Sequence, residues 1–201
     1  VASTSRIRTA VIPAAGQGTR MLPATKAVPK ELLPILEQPA LQLVVDEAIG
    51  AGVDRIVIVT SRAKPAIESY FARTPDVEEA LIRQGRTALA DRLRRYGTDI
   101  EVSFVHQDEP RGLGHAVSCA REAVGDEAFF VMLPDEIMED SSLLVSLADL
   151  ASEGSAVALK RVPARDVFRY GVVHPIEPSA FGGSGEIVRF DRVVEKPAVA
   201  D

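Results

Sequence analysis

The sequence predicts an α/β fold, a mostly parallel mixed sheet with helices on both faces, followed by a β-rich extension. Three observations predict it. Short apolar runs alternate with longer amphipathic ones over about the first 150 residues. The run Arg55-Ile-Val-Ile-Val-Thr60 is β-branched and continuous, the mark of a central strand buried on both faces. Beyond residue 150 the helical spacing stops, and two β-rich stretches flank Gly182-Gly183-Ser184-Gly185.

Each element follows in order. Thr9 to Pro13 reads as a buried strand. Leu41 to Ala51 reads as a helix stopped by Gly52. Arg55 to Thr60 is the central strand and Lys64 to Phe71 a short helix. Val77 to Tyr96 reads as one helix, because Val77, Leu81, Leu89, Leu93 and Tyr96 share a stripe. Glu101 to Gln107 is a strand and Gly114 to Val124 a helix. Ala128 to Leu133 reads as a further buried strand. Ser141 to Ala151 reads as a helix with Ser141 as its cap, and Ser155 to Val162 as a strand. Tyr170 to Ile176 and Ile187 to Val194 read as strands of the extension. The expected organisation is a single domain over 1–201, with an α/β part at 1–150 and the start of a β-rich part at 151–201.

Composition narrows the function. The chain has 201 residues, 23 basic and 29 acidic, for a net charge of −6. A pI near 5.2 argues against a nucleic-acid partner. No apolar run is long enough for a membrane span. No leader is legible at the start, where 1–8 is short and polar. The single Cys119 precludes a disulfide framework, fits a reducing cytoplasm, and reads as a buried structural thiol. Three scattered histidines and one cysteine make a poor zinc set. Yet the first thirty residues hold Arg6, Arg8, Arg20, Lys26 and Lys30 and no acid, leaving −11 on the rest. That asymmetry points to an anionic ligand near the amino terminus.

The ligand is expected at the glycine-rich turn after the first strand, Ala14-Ala15-Gly16-Gln17-Gly18-Thr19-Arg20. Glycine lets backbone N–H groups turn toward a phosphate and approach it closely. Arg20 and Lys30 add cationic donors. Taken alone, Gly-x-Gly reads equally well as a tight turn with surface cations. A dinucleotide fingerprint would need a third glycine at position 21, which is Met21, and no Gly-Lys-Ser/Thr of a P-loop occurs. In a parallel sheet, ligands sit beyond the carboxyl ends of the strands. The turn, Gln107 and Asp135 all fall there. An acid just after the apolar run Phe129 to Leu133 suggests a hydrogen-bonded or metal-bound carboxylate. Glu136 and Glu139 read as solvated.

The longer string Pro13-Ala-Ala-Gly-Gln-Gly-Thr-Arg-Met-Leu-Pro-Ala-Thr-Lys-Ala-Val-Pro-Lys-Glu-Leu-Leu-Pro34 resembles the signature of the sugar-1-phosphate nucleotidylyltransferases. Its Ala-Thr-Lys-Ala-x-Pro-Lys-Glu block is similar to the bacterial UTP–glucose-1-phosphate uridylyltransferase branch. Further matches follow in order: Gly112-Leu-Gly-His-Ala116, Leu133-Pro-Asp135, Tyr170-Gly-Val-Val173 and Glu195-Lys-Pro197. The resemblance implies the Rossmann-like, nucleotidyltransferase type of the fold. It also implies UTP and glucose 1-phosphate as partners, Mg²⁺ as cofactor, and a homo-oligomer. Family members continue past Glu-Lys-Pro and carry a second metal-contacting aspartate there, so the sequence is expected to be partial.

The residue roles implied by the resemblance are specific. Arg20, Lys30 and Lys196 are catalytic. Ala14, Ala15, Gly16, Gly18, Thr19, Lys26 and Glu31 contact the nucleotide, and Gln107 with Gly112 selects the pyrimidine base. Tyr170, Gly171, Glu195 and Lys196 hold the sugar and its phosphate, and Asp135 holds the metal. His115 reads as a helix-start residue. Two alternatives stay open: a sister enzyme with another nucleotide or sugar, and a non-catalytic nucleotide-sugar-binding homologue.

Overall fold

The computed structural model describes residues 6–138, 140–151, 154–177 and 187–197. It separates into two compact units, Val1–Val157 and Ala158–Asp201.

The first unit is built on four parallel strands. These are β1 (Thr9–Pro13), β4 (Arg55–Thr60), β5 (Glu101–His106) and β6 (Phe129–Val131), in the order β5-β4-β1-β6. A small hairpin of β2 (Pro34–Ile35) and β3 (Gln38–Pro39) lies between β1 and the first helix in sequence. The helices are α1 (Ala40–Gly50), α2 (Pro65–Phe71), α3 (Pro75–Arg83), α4 (Thr87–Arg94), α5 (Leu113–Cys119), α6 (Arg121–Val124) and α7 (Ser142–Leu150).

Strand alternation explains the layers. Ala10, Ile12, Ile56 and Ile58 join one buried cluster with Leu41, Val44, Val45 and Ala48 of α1, Ile67 and Phe71 of α2, and Leu144 of α7. Val11, Val57 and Val59 join the other, with Ala116 and Ala120 of the α5 region and Val124 of α6. Consecutive residues of β1 and β4 thus serve opposite layers. That is why these strands lack the apolar–polar alternation of a half-wet sheet.

Several sequence expectations need correction. The stripe from Val77 to Tyr96 is two helices, because Gly85 takes φ +77°. Gly85 N–H donates to Ile82 O at 2.9 Å and Arg86 N–H to Leu81 O at 2.9 Å, a Schellman stop. Gly52 (φ +92°) closes α1 in the same way, as expected, with Val53 N–H on Ala48 O at 3.1 Å. The run at 114–124 is likewise two helices, interrupted at Ala120. β6 is not fully buried: Phe129 and Val131 are exposed, because β6 is an edge of the described sheet. Ser155 to Val162 forms no strand, having no ladder partner among the described residues, and Val157 and Leu159 are exposed. Ser141 Oγ does not cap its own helix but donates to Glu47 O of α1 at 2.9 Å. The Ser142 amide is instead accepted by Asp140 Oδ1 at 2.8 Å. Hydrogen bonding from the Ser142 side chain, and secondly from its amide, holds the Asp140 carboxyl below its ordinary range.

The second unit holds a six-residue 3₁₀ turn, Ala164–Arg169, and an antiparallel pair, β7 (Gly171–Pro175) and β8 (Phe190–Glu195). Register runs Gly171↔Glu195 to His174↔Arg192 and slips before Pro175↔Phe190. The expected glycine-rich loop at 182–185 lies outside the described residues.

Candidate active site

The site of the first unit grows from the carboxyl ends of β1, β4, β5 and β6. Parallel pairing puts these ends side by side: Pro13 is level with Val59, and Thr60 with His106. Since β1 is flanked by β4 and β6, the glycine turn leaving β1 lies between Gln107 on one side and Asp135 on the other.

The turn is held from below. Ala14 is fully buried, and its N–H donates to Val59 O at 2.7 Å, continuing the ladder one step past β1. Lys64, just before α2, reaches under the turn. Its Nζ donates to Ala14 O at 2.7 Å and Gly16 O at 2.5 Å, and meets Glu31 Oε1 and Oε2 at 3.1 and 2.9 Å. The Glu31 side chain is 1% exposed and that of Lys64 11%. Glu31 therefore lies beneath the turn with both oxygens engaged, not on the open face where direct nucleotide contact was expected.

Above this base the turn is open. A side chain at Gly16 would meet nothing within 4 Å, so the backbone there can be approached closely. Gly18 needs to be glycine for conformation: it takes φ +66°, and an added Cβ would lie 3.3 Å from Thr25 Cγ2. Thr25 Oγ1 donates to Gly18 O at 2.8 Å and closes the turn onto the next segment. Thr19 and Arg20 occupy the following 3₁₀ turn, Thr19–Met21, and Lys26 the next, Ala24–Lys26, all three exposed. Ala15 and Gln17 line a cleft of about 310 Å³ together with Ser61, Arg62 and Gln107.

On the β6 side, Lys30 Nζ meets Asp135 Oδ2 at 3.0 Å. Asp135 is 57% exposed and Lys30 19%. Neighbours Lys30 and Glu31 share one 3₁₀ turn, Lys30–Leu32, and their charges diverge: one reaches the β6 end, the other the buried base. On the β5 side, buried Gln107 donates through Nε2 to Gly112 O at 3.2 Å and lies 2.9 Å from His115 Nδ1. With Nε2 so engaged, Oε1 is the amide atom left to receive a ligand N–H. Gly112 takes φ +96° with open space around it. His115 begins α5 as expected, and Cys119 is a half-buried thiol against the second cluster.

Two of the five amino-terminal cations belong elsewhere. Arg6 Nη2 donates to Gly52 O at 2.7 Å, and Arg8 grips Asp54 with Nη2–Oδ2 at 2.7 Å. They precede β1, whose five residues separate them from the turn by roughly 16 Å. Lys64, outside the thirty-residue window, is the cation that sequence reading missed. Its signal was a lysine directly before a proline-started helix at the end of a central strand.

In the second unit, Tyr170 precedes β7, and Lys196 follows β8 with φ +48°. Lys196 N–H donates to Tyr170 O at 3.0 Å, and its Nζ lies 3.4 Å from Glu195 Oε1. Gly171 leaves room for a carboxylate: an added Cβ would lie 3.1 Å from Glu195 Oε2. The four residues expected to serve the sugar thus cluster at one end of the hairpin. Among the described residues no set of three metal-ligating side chains occurs, and no helix is long and apolar enough to cross a membrane.

Comparison with known proteins identifies the family. The nucleotidyl transferase family matches residues 9–201. A UTP–glucose-1-phosphate uridylyltransferase of Bacillus subtilis (strain 168) is 40% identical over 195 residues, covering 96% of this chain and 65% of that relative. One from Staphylococcus epidermidis is 44% identical over 196 residues, covering 96% and 66%. The chain therefore spans about two thirds of the length of these relatives. Among solved structures, a UTP-bound UGPase from Acinetobacter baumannii superposes with a TM-score of 0.85 at 36% identity, over 96% of this chain and 69% of that one. A UDP-glucose pyrophosphorylase complexed with UDP-glucose gives 0.78 at 34% identity, over 97% and 71%. With a family match running from the first strand to the last residue, over the glycine turn, the Lys30–Asp135 ion pair and Gln107 at one sheet edge, this chain belongs to the nucleotidyl transferase family.

Proposed function

We propose that the chain transfers a uridylyl group from UTP to glucose 1-phosphate, giving UDP-glucose and pyrophosphate. One observation carries the reading. Lys30 and Asp135 meet at 3.0 Å at the sheet edge where the open glycine turn lies. Opposite charges and free backbone amides around one open space suit a polyphosphate. The names of the relatives support the choice of uridylyl and glucose.

The chemistry follows from charge. A sugar-phosphate oxygen attacks the α-phosphorus in line, the bond to the β-phosphate oxygen breaks, and pyrophosphate leaves from the opposite side. The attacking monoester is already anionic, so no general base is required. The task of the protein is to bring two polyanions together and stabilise the added charge. Arg20, Lys30 and the amides around Ala15, Gly16, Gly18 and Thr19 hold the triphosphate and the departing pyrophosphate, with Lys26 as an accessory cation. Gln107, beside Gly112, offers Oε1 to the N–H of the uracil ring. Tyr170, Gly171 and Glu195 hold the sugar, and Lys196 its phosphate.

Asp135 is the residue to hold a divalent cation, Mg²⁺ by its preference for oxygen donors and phosphate. It is exposed, and it already binds one cation, the Lys30 ammonium. When bound there, the metal neutralises phosphate charge. Chains of this kind are proposed to act as homo-oligomers in the cytoplasm.

The test is pyrophosphate release from glucose 1-phosphate with UTP, dTTP or GTP. The expected result is turnover with UTP well above the others. Preference for dTTP or GTP would make it a sister enzyme, and UDP-glucose binding without any turnover would make it a binding module.

A further inference from the structure

We propose that Lys64 is a positioning residue for the triphosphate: it sets the glycine turn so that the amides of Ala15 and Gln17 face the ligand. The inference rests on the reading of the turn as a UTP phosphate site.

A trans peptide points its C=O and the following N–H in opposite directions within one plane. Lys64 Nζ pulls the carbonyls of Ala14 and Gly16 toward the protein, at 2.7 and 2.5 Å. The N–H groups that follow, those of Ala15 and Gln17, are therefore turned away from Lys64. These two residues line the open cleft. Gly16 contributes no side chain to pin this arrangement, and a glycine peptide has a low barrier to flipping. The ammonium supplies the constraint that the residue type withholds.

Glu31 completes the device. An ammonium 11% exposed beneath a turn needs a counter-charge, and the Glu31 carboxylate supplies it at 2.9 Å. The pair is neutral as a whole, so the turn is oriented without a net charge trapped beneath it. Ala14 N–H on Val59 O anchors the first peptide at 2.7 Å, so only the peptides after residue 14 depend on Lys64.

The experiment uses two variants, Lys64→Met and the double Lys64→Met/Glu31→Met. The double removes the whole pair, so no buried carboxylate is left unpaired, and such replacements commonly preserve folding. Binding of UTP, inorganic tripolyphosphate and uridine is measured by calorimetry on wild type and on both variants. The expected result is UTP and tripolyphosphate weakened on the order of 10–100-fold in the double variant, as for one or two lost charge-assisted hydrogen bonds. Uridine binding stays unchanged, a split that mere loosening of the fold would not produce. Equal UTP affinity in wild type and the folded double variant overturns the role of Lys64 alone. Equal loss of uridine and UTP also overturns it, in favour of a structural role. Failure of wild type to bind either UTP or tripolyphosphate overturns the reading of the turn itself, and this inference with it.

Discussion

Lys30 shows how one side chain can serve two partners. Here it neutralises Asp135 at 3.0 Å, yet it is only 19% exposed and borders the glycine turn. In the proposed reaction its ammonium meets charge that grows on the departing pyrophosphate. Lys30→Ala is expected to lower turnover on the order of 10²–10³-fold, the usual effect of one lost transition-state donor. Single-turnover kinetics with saturating UTP would reveal it, and unchanged turnover would remove Lys30 from the mechanism. Asp135→Ala is expected to raise the magnesium concentration needed for half-maximal rate. A titration with an unaltered midpoint would reassign the metal ligand.

At the scale of elements, helices α3 and α4 depend on one carboxylate. Glu78 is 2% exposed and receives Arg73 at 2.7 and 2.6 Å and Arg94 at 3.3 Å. Hydrogen bonding to Arg73, more than any other cause, lowers its pKa from 4.5 to about 2. A depressed carboxylate stabilises the fold fully above its unfolded pKa and loses that contribution as pH falls through its folded one. The Glu78→Gln variant should therefore be less stable than wild type at neutral pH. The gap should close between pH 4.5 and about 2, as urea unfolding at several pH values would record. A gap that did not change with pH would mean Glu78 acts by shape alone. The break between these helices was legible in Gly85, whose φ of +77° no other residue adopts readily. The shared apolar stripe concealed it, because two short helices on one surface repeat the spacing of a single long one.

For the whole molecule, a ligand that binds only the folded chain raises its stability by mass action, about 2.7 kcal/mol at a hundredfold excess over Kd. UTP is expected to raise the thermal midpoint more than GTP, because the proposed reaction takes UTP as its nucleotide. Equal shifts from both nucleotides would mean that the triphosphate alone is recognised.

Order along the chain was enough to determine the α/β class, the placing of β1, β4 and β5, the glycine stop after α1, and the glycine turn at the carboxyl edge of the sheet. Those features are local: they depend on residue type, on apolar runs and on backbone freedom within a few positions. Only the tertiary structure decided which charges share a site. Arg6 and Arg8 lie close to the turn in sequence, but a strand carries them to its far end. Lys64 lies fifty residues from Ala14 and arrives beneath it, because β4 runs beside β1 and ends level with it. Asp135, 105 residues from Lys30, was expected at the same sheet edge, and the structure adds their direct contact at 3.0 Å. Parallel pairing turns large separations in sequence into short ones in space, and no local pattern records that.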